Sequence, residues 1–201
     1  MKLIGLIGNA GSGKDTVASV FKELGYNKYA FADAVKQACS AAFGIPIHHF
    51  EHRGLKESLD PYWNISPRQM LQFVGTELFR NHTKELCHHA PAGSFWIQRM
   101  WYNFIRDFSF KEDVRAVISD CRFKDECDFV LSNNGLIIHL TRPGYDGNVG
   151  ITGHASEYFA AQLKETYGED HAQIVYLNNT SSVDSLKYQA ALLYQTHSFF
   201  K

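Results

Sequence analysis

Lys2-Leu3-Ile4-Gly5-Leu6-Ile7 is an apolar run of strand length, rich in branched side chains. A glycine-rich turn follows, and then Val17, Val20, Phe21 and Leu24 recur at the i, i+3, i+4, i+7 spacing of a helix with one buried face. Lys28-Tyr29-Ala30-Phe31-Ala32 reads as a second short strand. Asp33 is then the N-cap of a helix through Val35, Ala38, Cys39 and Ala42 that stops near Gly44 and Pro46. Periodicity fails over 47–64, where His48, His49, Glu51, His52, Arg53, Lys56 and Glu57 crowd together, so a polar excursion with room for a short helix is expected there.

Ser66-Pro67-Arg68-Gln69 predicts a helix start: Ser caps, Pro suits the first helical position, and Gln69 can reach back to complete a capping box. The helix carries Met70, Leu71, Phe73, Val74 and Leu78, with Leu71, Val74 and Leu78 on a core-facing side. Ser94 is expected to cap a further helix with apolar positions Phe95, Trp96, Met100, Trp101, Phe104 and Ile105, an aromatic stripe that reads as core packing. Strands are predicted over 114–119, ending at Asp120, over 136–140, and over 174–177. A Gly- and Pro-containing loop runs over 142–153, and a last helix carries Leu186, Ala190 and Leu193. Strands alternating with helices imply an α/β fold with a mainly parallel, doubly wound sheet. With no repeat, low-complexity tract or linker in sight, one domain over 1–201 is expected, with excursions around 44–66 and 141–155.

A chain of 201 residues suits one α/β domain and is ample for a core. Its formal net charge of −1 points away from a nucleic-acid scaffold or an anionic membrane surface, so cations that bind phosphate must be local. Cys39, Cys87, Cys121 and Cys127 form neither CxxC pairs nor a dense framework, which reads as a reduced thiol set. No apolar run reaches membrane-spanning length and the first residues enter a strand at once, so a cytoplasmic location is expected, the host cytoplasm if the chain is phage-encoded.

The turn after the first strand carries the chemistry. Gly8-Asn9-Ala10-Gly11-Ser12-Gly13-Lys14-Asp15-Thr16 lies between strand and helix, the context a phosphate-binding loop requires. Its glycines let successive N–H groups point at phosphate oxygens, the helix N-terminus adds partial positive charge, and Lys14 supplies a mobile charge for the β- and γ-phosphates. One position departs from the pattern. Ser or Thr should follow the lysine to place a hydroxyl on Mg²⁺, whereas here Asp15 intervenes and Thr16 comes next. Asp15 can serve as a metal-water ligand, as a partner for a cation, or as a helix-start carboxylate.

Ligands of open α/β sheets sit beyond the carboxyl ends of the strands. That rule selects Asp120 and Arg122 after the 114–119 strand and Arg142 after the 136–140 strand. Two guanidiniums suit a transferring phosphoryl group because they bind phosphate bidentately and stay charged. Asp120 stands where an acidic residue after an apolar strand often holds Mg²⁺. Within the 66–77 helix, Arg68, Gln72 and Thr76 recur every four residues and share one face. His48, His49 and His52, and likewise His82, His88 and His89, lack a zinc-site pattern and read as surface histidines.

Gly11-Ser12-Gly13-Lys14-Asp15-Thr16 followed by Phe31-Ala32-Asp33-Ala34-Val35-Lys36 resembles the opening of the phage-type deoxynucleoside monophosphate kinases. Ser66-Pro67-Arg68-Gln69-Met70-Leu71-Gln72-Phe73-Val74-Gly75-Thr76-Glu77 is similar to that family's middle segment. Asp120-Cys121-Arg122-Phe123 with Glu126, Arg142-Pro143-Gly144 and His154-Ala155-Ser156-Glu157 continue the likeness in order, although Ser156 as a helix cap is an adequate structural reason for the last block. The resemblance implies a three-layer P-loop fold of the nucleoside monophosphate kinase type. It also implies transfer of the ATP γ-phosphoryl group to a deoxynucleoside monophosphate, with Mg²⁺. On that basis residues 8–16 hold ATP, and Lys14, Asp15, Arg122 and Arg142 take part in transfer. Lys36, Arg68, Gln72, Asp120 and Arg122 face the acceptor, and Asp15, Thr16 and Asp120 bear on the metal. Small nucleotides are the expected partners, without nucleic acid or membrane; a homodimer is left open. Another small-molecule P-loop kinase, acting on a coenzyme precursor or a phosphorylated isoprenoid, shares the donor chemistry and differs only in the acceptor-facing segment. A nucleotide-binding switch would want an Asn-Lys-x-Asp guanine motif, which Asn178-Asn179 does not supply. A nucleic-acid-end kinase would want a basic stripe.

Overall fold

The computed structural model describes residues 1–82, 95–108, 114–144 and 159–201. Ser94 as a cap, Cys87, His88, His89, the block at 154–157 and most of the 141–155 excursion lie outside the described residues. The chain divides into two compact units: Met1–Ala30 with Phe108–Lys201, and Phe31–Asp107.

The first unit is built on five parallel strands, β1 (Lys2–Ile7), β2 (Asn27–Tyr29), β3 (Arg115–Cys121), β4 (Leu136–Thr141) and β5 (Ile174–Asn178), in the order β2-β3-β1-β4-β5. β1 lies at the centre, and Leu3 to Ile7 along it include no apolar side chain more than 2 % exposed. A strand buried on both faces reads as a continuous apolar run rather than an alternating one, which is what β1, β3 and β4 show. One face takes helix α1 (Lys14–Glu23) and a long C-terminal helix (Val183–Thr196). There Ile4, Leu6, Val117, Leu136, Ile138 and Leu140 meet Val17, Phe21, Leu186, Ala190 and Phe200. The other face takes the helix Lys124–Ser132. A Cβ added to Gly5 would come within 3.0 Å of Val130 Cγ2 and Cys121 Sγ, so the small residue admits that helix. These are the three layers the α/β reading expects.

The second unit is helical: α2 (Phe31–Phe43), α3 (His48–Glu51), α4 (Arg53–Glu57), α5 (Pro67–Gln72) and α6 (Phe95–Phe108). The capping box at α5 is present in full, with Ser66 Oγ accepting from the Gln69 amide at 3.3 Å and Gln69 Oε1 accepting from the Ser66 amide at 2.8 Å. Beyond Gln72 the helix continues as a π-helix over Phe73–Arg80. The helices of the first unit after α6 are α7 (Lys124–Ser132), α8 (Leu163–Tyr167) and α9 (Val183–Thr196), and a 3₁₀ turn closes the chain at Ser198–Phe200.

Several expectations need correction. Phe31 and Ala32 belong to α2 rather than to the second strand, so Asp33 lies in the helix's first turn and is not its cap. Phe31 is only 4 % exposed; an apolar anchor at the helix start looks like a strand in a short window. Leu78, expected in the core, is 45 % exposed and Phe73 is 56 % exposed, because the wider π turn rotates residues off the face an α-helix would give them. Ile105 is 49 % exposed, and Ile97, absent from the expected stripe, is buried instead. Among the described residues no helix is long and apolar enough to cross a membrane.

Candidate active site

The loop after β1 bends through three positive-φ glycines, at 8, 11 and 13. Two of them are dictated by space as well as angle. A Cβ on Gly8 (φ 151°) would lie 2.3 Å from the Leu140 carbonyl oxygen, and one on Gly13 (φ 105°) would lie 2.5 Å from Leu186 Cδ2. Gly13 is also the N-cap of α1 and among the described residues no side chain caps that end, so the helix's positive pole is left to the loop. Asn179, just past β5, ties the loop down: its Nδ2 donates to the Ser12 carbonyl at 3.1 Å and its amide to the Thr141 carbonyl at 2.8 Å. Asn9, Ala10 and Gly11 are exposed.

Lys14 folds back on this loop, its Nζ donating to the carbonyls of Gly8 at 2.6 Å and Asn9 at 2.9 Å. Burial, followed by the nearby Arg122 guanidinium, draws its pKa from the ordinary lysine value down to about 8. Asp15 and Asp120 pull in the opposite direction. Asp15, the departure from the loop pattern, has a side chain 88 % exposed and pairs through Oδ1 with Lys28 Nζ at 2.8 Å. Thr16 follows on α1, partly buried.

Asp120 is the penultimate residue of β3, and Arg122 follows its end, exposed. The backbone beneath Arg122 is pinned by Glu126, 3 % exposed, whose Oε2 accepts from the amides of Arg122 at 2.7 Å and Phe123 at 3.1 Å. Arg142 follows β4, and its Nη1 donates to the Gly11 carbonyl across 3.4 Å, a long bond that tethers it to the loop. The strand ends of the first unit thus bring Lys14, Asp15, Asp120, Arg122 and Arg142 around one loop. A cavity of about 310 Å³ opens there, lined by Lys14, Thr16, Arg142, Asn179, Ser181 and Val183. Another, of about 260 Å³, is lined by Asn9, Ser12, His139, Thr141, Arg142 and Ala160. Among the described residues no three of His, Cys, Asp and Glu converge as metal ligands. Cys39, Cys121 and Cys127 are buried and free.

The remaining expected residues are in the second unit. Lys36 on α2 pairs with Asp33 at 3.0 Å and lies 3.9 Å from Glu51. Arg68, in the first turn of α5, is gripped by Glu57 at the end of α4. Gln72 is partly buried one turn further on. Sequence reasoning passed over Lys28, Glu57 and Asn179. Only Asn179 had a local signal, its place beyond the carboxyl end of a parallel strand.

No profile of a known family matches the chain. Solved structures of dephospho-CoA kinase from Campylobacter jejuni and of TT1252 from Thermus thermophilus resemble it, at 16 % identity with TM-score 0.49 and 18 % with 0.48. The first comparison covers 97 % of this chain and 96 % of that one; the second covers 96 % and 97 %. A protein of Acanthamoeba polyphaga mimivirus, described as a deoxynucleotide monophosphate kinase, is 38 % identical over 149 residues, 72 % of this chain and 76 % of its own length. The deoxynucleoside-5′-monophosphate kinase of Escherichia phage T5 is 28 % identical over 196 residues, 67 % of this chain and 73 % of that protein. The loop, the strand-end cations and these relatives agree: the chain belongs to the phage-type deoxynucleoside monophosphate kinase family.

Proposed function

We propose that the protein transfers the γ-phosphoryl group of ATP to a deoxynucleoside 5′-monophosphate, releasing ADP and the deoxynucleoside diphosphate. The observation that carries the reading is Lys14, partly buried against its own loop and beside Arg122, with its pKa drawn down to about 8. Two cations held this close repel one another, and an entering polyphosphate relieves that repulsion. The lysine then exchanges the Gly8 and Asn9 carbonyls for β- and γ-oxygens. An oxygen of the acceptor monophosphate forms the new bond to the γ-phosphorus as the bond to the ADP oxygen breaks, and Arg122 and Arg142 stabilise charge on the equatorial oxygens. Arg68 and Gln72 hold the acceptor, with Lys36 contributing.

Asp15, Thr16 and Asp120 are hard oxygen donors of the kind Mg²⁺ accepts beside substrate phosphates, and the ion takes only one or two carboxylates in such sites. Asp15 and Asp120 both act on Lys14 electrostatically, which supports their closeness to the phosphate loop. Held by these residues, Mg²⁺ would supply positive charge that offsets the charge of the substrate phosphates. The activity is assigned to the cytoplasm, that of the host for a phage-encoded chain.

An ADP-release assay over dAMP, dCMP, dGMP and dTMP tests the reading. Turnover with at least one is expected; turnover only with a coenzyme precursor or a phosphorylated isoprenoid overturns it. Lys14→Met should lower transfer by about 10²-fold or more, since it removes a preorganised charge at the transferring group. Near-normal turnover in a folded Lys14→Met protein takes the loop out of the mechanism.

A further inference from the structure

We propose that Glu57 is a positioning residue for the acceptor phosphate: it clamps one edge of the Arg68 guanidinium so that the other edge stands ready as a fork. The proposal rests on reading Arg68 as the acceptor-facing cation. A guanidinium can grip an oxyanion bidentately along its Nε/Nη2 edge or its Nη1/Nη2 edge. Glu57 takes the first. Arg68 Nε donates to Oε1 at 2.7 Å and to Oε2 at 2.9 Å, and Nη2 donates to Oε1 at 2.5 Å. Among the described residues nothing else hydrogen-bonds or pairs with Arg68, so its Nη1 edge is uncommitted.

Both ends of the clamp are held. Arg68 follows Pro67 in the first turn of α5, where the Ser66–Gln69 capping box sets the backbone. Glu57 closes α4, and Arg68 holds its carboxyl below the usual carboxylate range, so it stays ionised at working pH. A cation in a first helical turn opposes the helix dipole, so helix stability alone does not call for Arg68 there. The pair is also partly exposed, 23 % at Arg68 and 41 % at Glu57, and such pairs add little to folding. What the geometry does supply is order. An arginine that grips a phosphate must freeze a long side chain, and Glu57 has frozen it beforehand.

The test measures KM and kcat for dAMP, dCMP, dGMP and dTMP at saturating ATP, and KM for ATP, in Glu57→Ala, Glu57→Gln, Arg68→Ala and the Glu57→Ala/Arg68→Ala double variant. Thermal unfolding confirms the fold of each. Glu57→Ala should raise acceptor KM about threefold to tenfold, with kcat and ATP KM within about twofold. Glu57→Gln, which keeps one acceptor oxygen, should recover part of the loss. In the Arg68→Ala background the Glu57 change should add nothing. If Arg68→Ala raises acceptor KM but Glu57→Ala leaves it unchanged, the positioning role is wrong while the reading of Arg68 stands. If Glu57→Ala lowers acceptor KM, the carboxylate competes with phosphate and the proposal is overturned. If Arg68→Ala itself leaves acceptor KM unchanged, the underlying reading falls with it.

Discussion

Gly8 shows how tightly the phosphate loop is specified at single positions. It sits where β1 ends, at φ 151°, with the Leu140 carbonyl oxygen 2.3 Å from where a Cβ would stand and Ser12 Oγ 2.7 Å away. A backbone oxygen on a central strand cannot retreat as a flexible side-chain tip can. Gly8→Ala should therefore destabilise the protein by about 1–3 kcal/mol, the usual cost of one disallowed backbone position. It should weaken ATP binding further, because the loop must shift its amides to make room. Urea unfolding beside nucleotide titration checks both, and unchanged midpoint and affinity would contradict the steric account. Lys28 makes a different point about single residues. It holds Asp15 at 2.8 Å, yet 13 residues separate the two, and no local spacing rule connects the end of a short strand to the start of a helix. The pairing of Glu57 with Arg68, 11 positions apart, escaped the sequence reading for the same reason.

At the level of elements, local signals were read well where they were short-range and chemical. The α5 start was legible because Ser66, Pro67 and Gln69 each have one favoured place in a helix's first turn, and the capping hydrogen bonds form as that chemistry requires. Ser66→Ala should cost about 1 kcal/mol by leaving the Gln69 amide without its acceptor, measurable as a lower urea midpoint. No change would mean the helix start is held by burial of Pro67 and Met70 alone. The strands β1, β3 and β4 were legible because burial on both faces writes them as apolar runs, and the edge strand β5 because Ile174 to Leu177 are all apolar or aromatic, whereas β2 is three residues with an exposed start and merges into the apolar opening of α2. The π-helix defeated the periodicity argument at Leu78, though Val74 is buried as that argument expects. Leu78 obeys a 3.6-residue rule in the sequence, but the backbone there does not. α7 was missed because its N-cap is Phe123, while its true signature is Glu126 reaching back to the amides that precede it.

For the molecule as a whole, the sequence placed the loop and strand-end residues of the first unit on one sheet edge, and β-sheet order β2-β3-β1-β4-β5 brings them there. It could not show which polar groups would be left inside. His139 on β4 is 8 % exposed and its Nδ1 has no hydrogen-bond partner among the described residues. Burial, then the charges of Lys164 and Lys14, lower its pKa from 6.5 to about 4. Below pH 6.5 the unfolded chain takes up a proton here that the folded chain refuses until about pH 4. Stability contributed at neutral pH is therefore lost on acidification through that window, by about 1.4 kcal/mol per pH unit from this residue. Urea midpoints measured from pH 7 to 4 should fall less steeply in His139→Leu than in the wild type. Parallel slopes would mean that His139 charges as readily folded as unfolded.

β1 also has a history in time. It leaves the ribosome before the other four strands of its sheet and is the central one in the finished sheet, but its neighbours β3 and β4 begin only at Arg115 and Leu136. At roughly 5–20 residues per second, synthesis leaves this apolar strand without either partner for about 5–20 s, with both backbone edges open. The helical unit over 31–107 is made during that wait. Nascent chains arrested before residue 115 should expose β1 to protease and to chaperone capture, and chains arrested after β4 has emerged should not. The insertion that carries Arg68 thus lengthens the interval in which the strand beneath the phosphate loop is most prone to aggregate.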